Sequence, residues 1–567
     1  MRPRPALRSI FALMLFASSQ AFGPAAPAQE SGKAPLADPP YPDGAIIESI
    51  PPNAIVLSLD ETIKAALDHN LTIAVQRYQP RTTATFVDVE RSVFDPLVTG
   101  NVFYRSDEQA SVSSIIGPLS STDKVTSYTA SWLDPLTTGG SYSVDLNATD
   151  TDSTVSNVLG SSESTGYNTS WALTYRQPLL RNLGRDANLW PTVVAQKTLG
   201  ISESVFRQTV IDTVAQAESA YWDLNFAIMQ LRTERFSLKL AQDFLEQNRI
   251  KVRVGTLAPI EITQAEAGVA DREETVIIFE AALRAAEDQI RRVIGVASDS
   301  KDWDRPVRPS DPLTWDEVTV DEDEAMAQAI ANRPDIEQAR LAVEARATED
   351  KARDNLRRWG LDFQGIYGNL GFAPDGYGDS YDDLKDRNQT SWSTALTLSV
   401  PIHNRFAIAN KQRTENELAQ ANMQLQQTEQ AVRVAISAAV RQVRTNIRRV
   451  QSAQVNVRLQ REKLQAEQKK FENGMSTSFQ VLQFQDDLAN AETRENLAKN
   501  DYAKALVELA RAKGTTLTER GILFAPVTGD QSGQNGATTQ SRALRPLWEP
   551  AKNDPTGLGL RLADTAS

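Results

Sequence analysis

The chain of 567 residues contains no cysteine and only two histidines, His69 and His403. The first absence excludes disulfides, thiolate metal sites and cysteine nucleophiles. It also excludes a lipoprotein anchor, which needs a cysteine at the processed amino terminus. The histidines lie far apart, which argues against a histidine-based metal or acid–base site. Basic charge is short as well: 60 Lys and Arg stand against 73 Asp and Glu, a formal net charge of −13. A nucleic-acid binder needs a basic face to meet phosphate, so no nucleic-acid partner is expected. With hydrophobic residues at 41%, the chain does not read as a polytopic helical membrane protein.

What is present at the start is a basic, apolar and small-residue sequence in that order. Arg2, Arg4 and Arg8 precede an apolar core at Ile10–Ala17 and a small-x-small site at Ala26-Pro27-Ala28. This pattern predicts a secretory signal over 1–28, with a short membrane anchor as the alternative, and hence an exported chain. Residues 29–56 read as a proline-rich linker and 521–567 as a polar tail without fixed structure.

Glycine and proline are missing from three long internal stretches, 201–254, 402–473 and 475–513. Between them the punctuation repeats. The interval from Gly255 to Gly474 equals the interval from Gly295 to Gly514. Ala217, Leu224, Leu231, Leu238, Leu245 and Val252 recur every seventh residue, and Ile436, Val443, Val450, Val457, Leu464 and Phe471 repeat them at that same interval. A second stripe accompanies each, at Ala220, Ala227 and Ala241 and at Val432, Ala439 and Ala453. Sustained heptads predict coiled-coil packing rather than a globular helix. A fully helical 402–473 would run roughly 100 Å at about 1.5 Å per residue. Gly255 and Gly474 are the natural breaks at which each rod turns back into a partner, over 269–294 and 475–513.

Ahead of each rod the period changes to two. Trp392, Thr394, Leu396, Leu398 and Val400 alternate with Ser393, Ala395, Thr397 and Ser399, and Tyr167–Tyr175 alternates likewise. Further alternating runs at 98–104, 128–132, 142–148 and 363–367 predict four strands in the first half and two in the second. Serine, threonine and asparagine on one face and aromatics on the other suit an outer-membrane barrel, though six strands cannot close one of useful width. A soluble β-sandwich bearing helical arms is the alternative. Matching short helices are expected at 58–77 and 323–346, at a wider offset than the glycines because the first half holds an extra strand pair. The organisation is therefore repeat 1 over 57–300, a linker over 301–322 and repeat 2 over 323–520, each repeat carrying a short helix, strands and a long helical hairpin.

These features resemble the TolC family of trimeric outer-membrane efflux and secretion channels over roughly residues 57–520. The resemblance rests on the paired strand ends LTYRQPLLRN (173–182) and LTLSVPIHN (396–404). It rests also on the turns VGTLAPIEITQAEA (254–267) and NGMSTSFQVLQFQDD (473–487), and on the order and duplication of all four. It implies an α-helical coiled-coil barrel joined to a transmembrane β-barrel shared between three chains, without cofactors or metals. The channel would sit in the outer membrane with its helices in the periplasm, working passively with a periplasmic adaptor and an inner-membrane transporter. Family tips contact the adaptor, which points here to Gly255, Thr256, Leu257, Ala258 and Pro259 and to Gly474, Met475, Ser476 and Thr477. They also narrow the tunnel entrance and open by an iris-like motion. Entrance residues would be Glu261, Gln480 and Gln483. Some members have acids where Gln480 and Gln483 stand, so a strongly cation-binding ring is not expected.

The sequence departs from the simplest members in a further hairpin, Lys124–Asp150, which leaves barrels of twelve or eighteen strands open. No catalytic constellation is evident, and the chain is not expected to be an enzyme. The acidic pairs Asp486-Asp487 and Glu273-Glu274 read as solvated helix faces. Gly365, Gly368 and Gly371 lack the following helix of a phosphate loop and read as relief of crowding in a strand. A periplasmic adaptor, or an exported enzyme with coiled-coil arms, remains the alternative, and cargo cannot be read.

Overall fold

A computed structural model describes residues 53–524, except 114–116, 158–159, 298–299 and 301–302, together with 561–562. The expected leader 1–28, nearly all of 29–56 and all of the tail except 521–524 and 561–562 lie outside the described residues.

The chain enters through β1 (Ile55–Leu57), which pairs in parallel with β6 (Val307–Pro309). Between them come α1 (Leu59–His69), α2 (Leu71–Gln76), α3 (Tyr78–Arg91), four strands, the short α4 (Arg185–Asn188), and the hairpin of α5 (Trp190–Arg253) and α6 (Ile260–Val293). A capping box starts α1: the Glu61 N–H donates to Ser58 Oγ at 3.2 Å and the Ser58 N–H to the Glu61 carboxylate at 2.8 Å. The second half repeats the plan with α7 (Glu322–Asn332), α8 (Pro334–Asn355), two strands, α10 (Arg405–Glu472), α11 (Ser478–Lys513) and the short α12 (Thr516–Glu519).

At 64 and 68 residues, α5 and α10 extend about 96 and 102 Å. Their heptad positions form the cores: Leu224, Leu231, Val443, Val450 and Val457 are all buried. The first hairpin starts earlier than its glycine-free stretch predicts. Pro191 stands in the first turn of α5, where its missing N–H leaves nothing unpaired. Gly200 and Gly268 lie inside α5 and α6 because neighbours crowd them. A Cβ at 200 would stand 3.1 Å from Leu341 of α8, and one at 268 would stand 3.3 Å from Leu482 of α11.

The duplication is visible in backbone angles. Gly255, Gly295, Gly474 and Gly514 take φ of 79°, 69°, 70° and 71°, the left-handed region open to glycine. Each closes its helix in the same way. The Gly474 N–H donates to Phe471 O and the Met475 N–H to Lys470 O, as Gly255 and Thr256 do to Val252 and Lys251. Gly295 and Gly514 also abut matching short helices. Their Cβ positions would lie 2.2 Å from His69 O and 3.1 Å from Asn332. His69 and Asn332 end α1 and α7, and so occupy equivalent places in the two repeats.

The six long strands form one antiparallel sheet: β2 (Leu97–Ser113), β3 (Gly117–Pro135), β4 (Ser141–Asn157), β5 (Gly160–Pro178), β7 (Gly360–Ala373) and β8 (Gln389–Ser399), neighbours in that order. Directly opposed residues share a face. One row runs Val98, Trp132, Val144, Leu173, Tyr367, Trp392, and the row beside it on the other face runs Thr99, Ser131, Asp145, Ala172, Gly368, Ser391. The first face is a band of aromatic and aliphatic side chains. The second is mainly hydroxyl, amide and charged, with Leu97, Phe103, Val125, Leu133, Val155, Ile366, Leu370 and Phe372 as exceptions. The strands outrun the alternating patterns, which mark β2 only over 98–104. Beyond Tyr104 both faces turn polar, so the period that identifies a strand disappears.

A short helix, α9 (Tyr377–Lys385), crosses the apolar face where the band ends. Tyr377 packs edge-on against Tyr167 and Tyr128, with ring centroids 4.9 and 6.4 Å away. Thr169 Oγ1 donates to Ser380 O at 2.9 Å. Gly371 is required here, since a Cβ would meet Ser380 O at 2.0 Å. Gly368 is crowded by Trp171 O at 2.4 Å, which gives two of the three spaced glycines a steric reason.

Candidate functional site

The two helical turns lie side by side at one end of the hairpins. The Ser478 N–H, first of α11, donates to Glu261 Oε2 at 3.3 Å, and Asn248 Nδ2 of α5 donates to Ser478 Oγ at 2.9 Å. Glu261 thus supplies an acceptor and a negative charge to a helix N-terminus in the other hairpin. Thr477 caps the same helix through the Gln480 N–H. Ser476 Oγ lies 2.6 Å from Glu467 Oε1 and 3.0 Å from Gln480 Oε1. Lys470 pairs with Glu467 at 3.0 Å, and the Ser476 and Lys470 bonds hold that carboxyl below the ordinary range.

Gly255, Thr256, Ala258 and Pro259 are exposed on the first turn, and Gly474, Met475 and Thr477 on the second. Leu257 is half-buried against the core that contains Phe244, Val481 and Leu482. Around the turns Val254, Ile260, Met475 and Phe479 leave apolar side chains in solvent. Gln483 is exposed, while the neighbouring Gln485 is buried with both amide atoms unpartnered.

Behind the tips the two hairpins meet along α5 and α11 through polar links. Asp212 pairs with Arg511 at 3.0 Å and Asp223 with Lys504 at 2.9 Å. Asn500 donates to Asp223 at 3.0 Å and Gln230 to Thr493 Oγ1 at 2.6 Å. Within each hairpin, by contrast, the seam is an apolar heptad core. Near the tips the contact between hairpins becomes partly apolar, where Phe244 meets Phe471 with centroids 5.2 Å apart.

Arg272 of α6, only 4% exposed, makes a buried charged link to the other hairpin. It pairs with Asp486 of α11, donates to Ser237 Oγ at 3.1 Å and to Gly268 O at 2.8 Å. Burial pushes the Asp486 carboxyl up, and the Arg272 charge opposes that shift. Glu234, one turn from Ser237, accepts from Gln230 at 2.8 Å and is also pushed up, chiefly by burial. The sequence expectations do not include Arg272, yet a signal for it exists. It occupies the heptad slot of Ala265, Phe279, Ala286 and Val293, and its counterpart in the second repeat is Ala491.

No group of metal-binding side chains occurs among the described residues, and none of their helices is long and apolar enough to cross a membrane.

The family described as outer membrane efflux protein matches residues 120–296 and 325–515. The fold is similar to that of the outer-membrane channel OprN, at 14% identity and TM-score 0.59, over 81% of this chain and 90% of that one. It is similar also to the CmeC outer membrane channel of Campylobacter jejuni, at 15% identity and TM-score 0.56, covering 81% and 86%. For the outer membrane protein VceC of Vibrio cholerae the values are 14% and 0.57, covering 80% and 96%. No curated protein sequence matches the chain.

Proposed function

The chain belongs to the outer membrane efflux protein family, an outer-membrane channel with its helices on the periplasmic side, and from that premise we propose that three copies build one passive exit duct. The observation that carries this reading is the sheet, apolar on one face and ending in two open edges. In lipid each unpaired backbone group costs several kcal/mol, so β2 and β8 must find partners. Six antiparallel strands leave the two edges running in opposite directions. Hence β8 of one copy suits β2 of the next, and three copies close a ring with the apolar band towards lipid and the hydroxyl face towards water.

The exposed apolar side chains at the tips, with Gly255 to Pro259 and Gly474 to Thr477 between them, suit contact with a periplasmic adaptor that joins the duct to an inner-membrane transporter. The polar seam between hairpins suits an entrance that opens by sliding one hairpin against the other. Polar links exchange for water at little net cost, about 0.5–1.5 kcal/mol each, whereas an apolar core does not. Glu261 is engaged in bonding, and Gln480 and Gln483 carry no charge, which fits an entrance without a strong cation preference.

The test is the native mass of the protein extracted from outer membranes in mild detergent, corrected for bound detergent. A trimer that resists dissociation is the expected result. A water-soluble monomer recovered without detergent would overturn the channel assembly and bring the adaptor reading forward.

A further inference from the structure

We infer that the added hairpin, β3 and β4, is part of the membrane wall, so that the shared barrel holds eighteen strands, six from each chain. This rests on the three-copy barrel proposed above. The two faces of the hairpin carry the argument. Tyr128, Trp132, Tyr142, Val144 and Leu146 point to the apolar face, and Ser127, Thr129, Ser143, Asp145 and Asn147 to the other, where Leu133 is the apolar exception at this height. A hairpin projecting into water has no use for an apolar face. A hairpin in the wall must have one, and at the same height as its neighbours.

The heights match. Val144 lies opposite Leu173 and Leu146 opposite Trp171 on β5, while Trp132 lies opposite Val98 on β2. The band therefore passes through the hairpin without a step. The opposite face is knitted by its own polar contacts: Ser131 Oγ donates to Asp145 at 2.6 Å, Ser143 Oγ to Asp145 at 2.9 Å, and Ser127 Oγ to Asn147 at 3.0 Å. The outer ends of the same strands act as an internal control. Past the level of Tyr167 the formerly apolar face reads Ser106, Lys124, Asp152 and Thr165 across β2 to β5. There the sheet is mainly polar on both sides, with Val125 and Val155 as exceptions, as a segment standing in water should be. β5 continues past the end of β7, from Gly166 back to Gly160, or about 23 Å at roughly 3.3 Å per residue.

Barrel diameter grows roughly linearly with strand number. An eighteen-stranded wall is about one and a half times as wide as one that leaves the hairpin out. The membrane section then does not limit what passes, and cargo size is set at the helical tips.

The absence of cysteine makes the test direct. Single cysteines are placed in the full chain at Ser127 and Ser143 on the hydroxyl face and at Ala130 and Val144 on the apolar face. Ala172 and Leu173 of β5 provide the control pair. Each variant is first checked for parental trimer mobility, and two positions per face guard against a variant that does not assemble. Labelling by a charged, membrane-impermeant thiol reagent is then timed in outer membranes. The wall assignment expects the hydroxyl-face cysteines to react at least about tenfold faster than the apolar-face ones, because reaction requires a hydrated thiolate. Alternation in β5 with equally fast labelling of both hairpin faces would overturn the inference and leave the trimeric barrel standing. No alternation in either strand would overturn both.

Discussion

Four glycines do one conformational job, yet their substitution has unequal consequences. At Gly474 nothing lies within 4 Å of a Cβ, so Gly474→Ala meets only the left-handed backbone penalty, about 1–2 kcal/mol. At Gly295 the same change also drives a methyl into His69 O at 2.2 Å, and the loss should exceed about 3 kcal/mol, the upper range of overpacked cores. The temperature at which the helical signal is lost should fall slightly for the first and sharply for the second. Equal falls would mean that the contact with α1 contributes nothing. Glu234 makes a pH prediction. Its folded carboxyl is pushed above the ordinary 4.5, mainly by burial, with the hydrogen bonds from Gln230 and Thr493 and then the Arg272 charge partly offsetting the shift. The folded state therefore holds the proton more tightly than the unfolded one, and this group's contribution to stability falls as pH rises from 4.5 through the raised value. Glu234→Gln keeps an acceptor for Gln230 and removes the buried charge. At pH 8 it should be the more stable form by about 1 kcal/mol, and below pH 4 the difference should vanish. A constant difference across thermal melts at both pH values would refute the assignment.

Elements are legible where a period is sustained. The rods and their glycine ends can be read because burial recurs every seventh residue and the backbone reverses in hand at each end. The outer halves of β2 to β5 cannot, since water on both sides removes the alternation that marks a strand. α9 escapes sequence reading because YGDSYDDLK has the composition of a loop, and its helical state depends on Tyr377, Ser380 and the bare Gly371 beneath it. At the tips, Gly255 and Gly474 are readable, but the bond between Glu261 and Ser478 joins residues in different repeats and leaves no local trace. Arg272 belongs to this scale too, since it joins one hairpin to the other. Arg272→Ala removes the pair with Asp486 and the bond to Ser237. Breaking a buried pair costs about 3–5 kcal/mol, and the partial exposure of Asp486 places the expected loss at the lower end. Cells carrying the variant should take up a large hydrophilic antibiotic faster than the parent, because the hairpins separate more readily. Unchanged uptake with an intact trimer would show that the seam does not control the entrance.

At the scale of the molecule the two parts have different needs. Each helical hairpin buries its heptad core between helices adjacent in sequence, and such local contacts form early and fast. The sheet has no such autonomy. Trp392 is 73% exposed, Val98 74% and Val102 70%, and these residues sit on the very strands whose backbone groups lack partners at the two ends of the ladder. An open, apolar strand edge in water is a template for aggregation. On the three-copy duct proposed above, a new copy is safe in its rods and at risk in its sheet until it reaches both lipid and two companions. That interval has to be short or supervised, and a holding chaperone that grips alternating aromatic strands would be the natural escort. Crowding of copies before insertion would then favour pairing of one sheet edge with another in the wrong register.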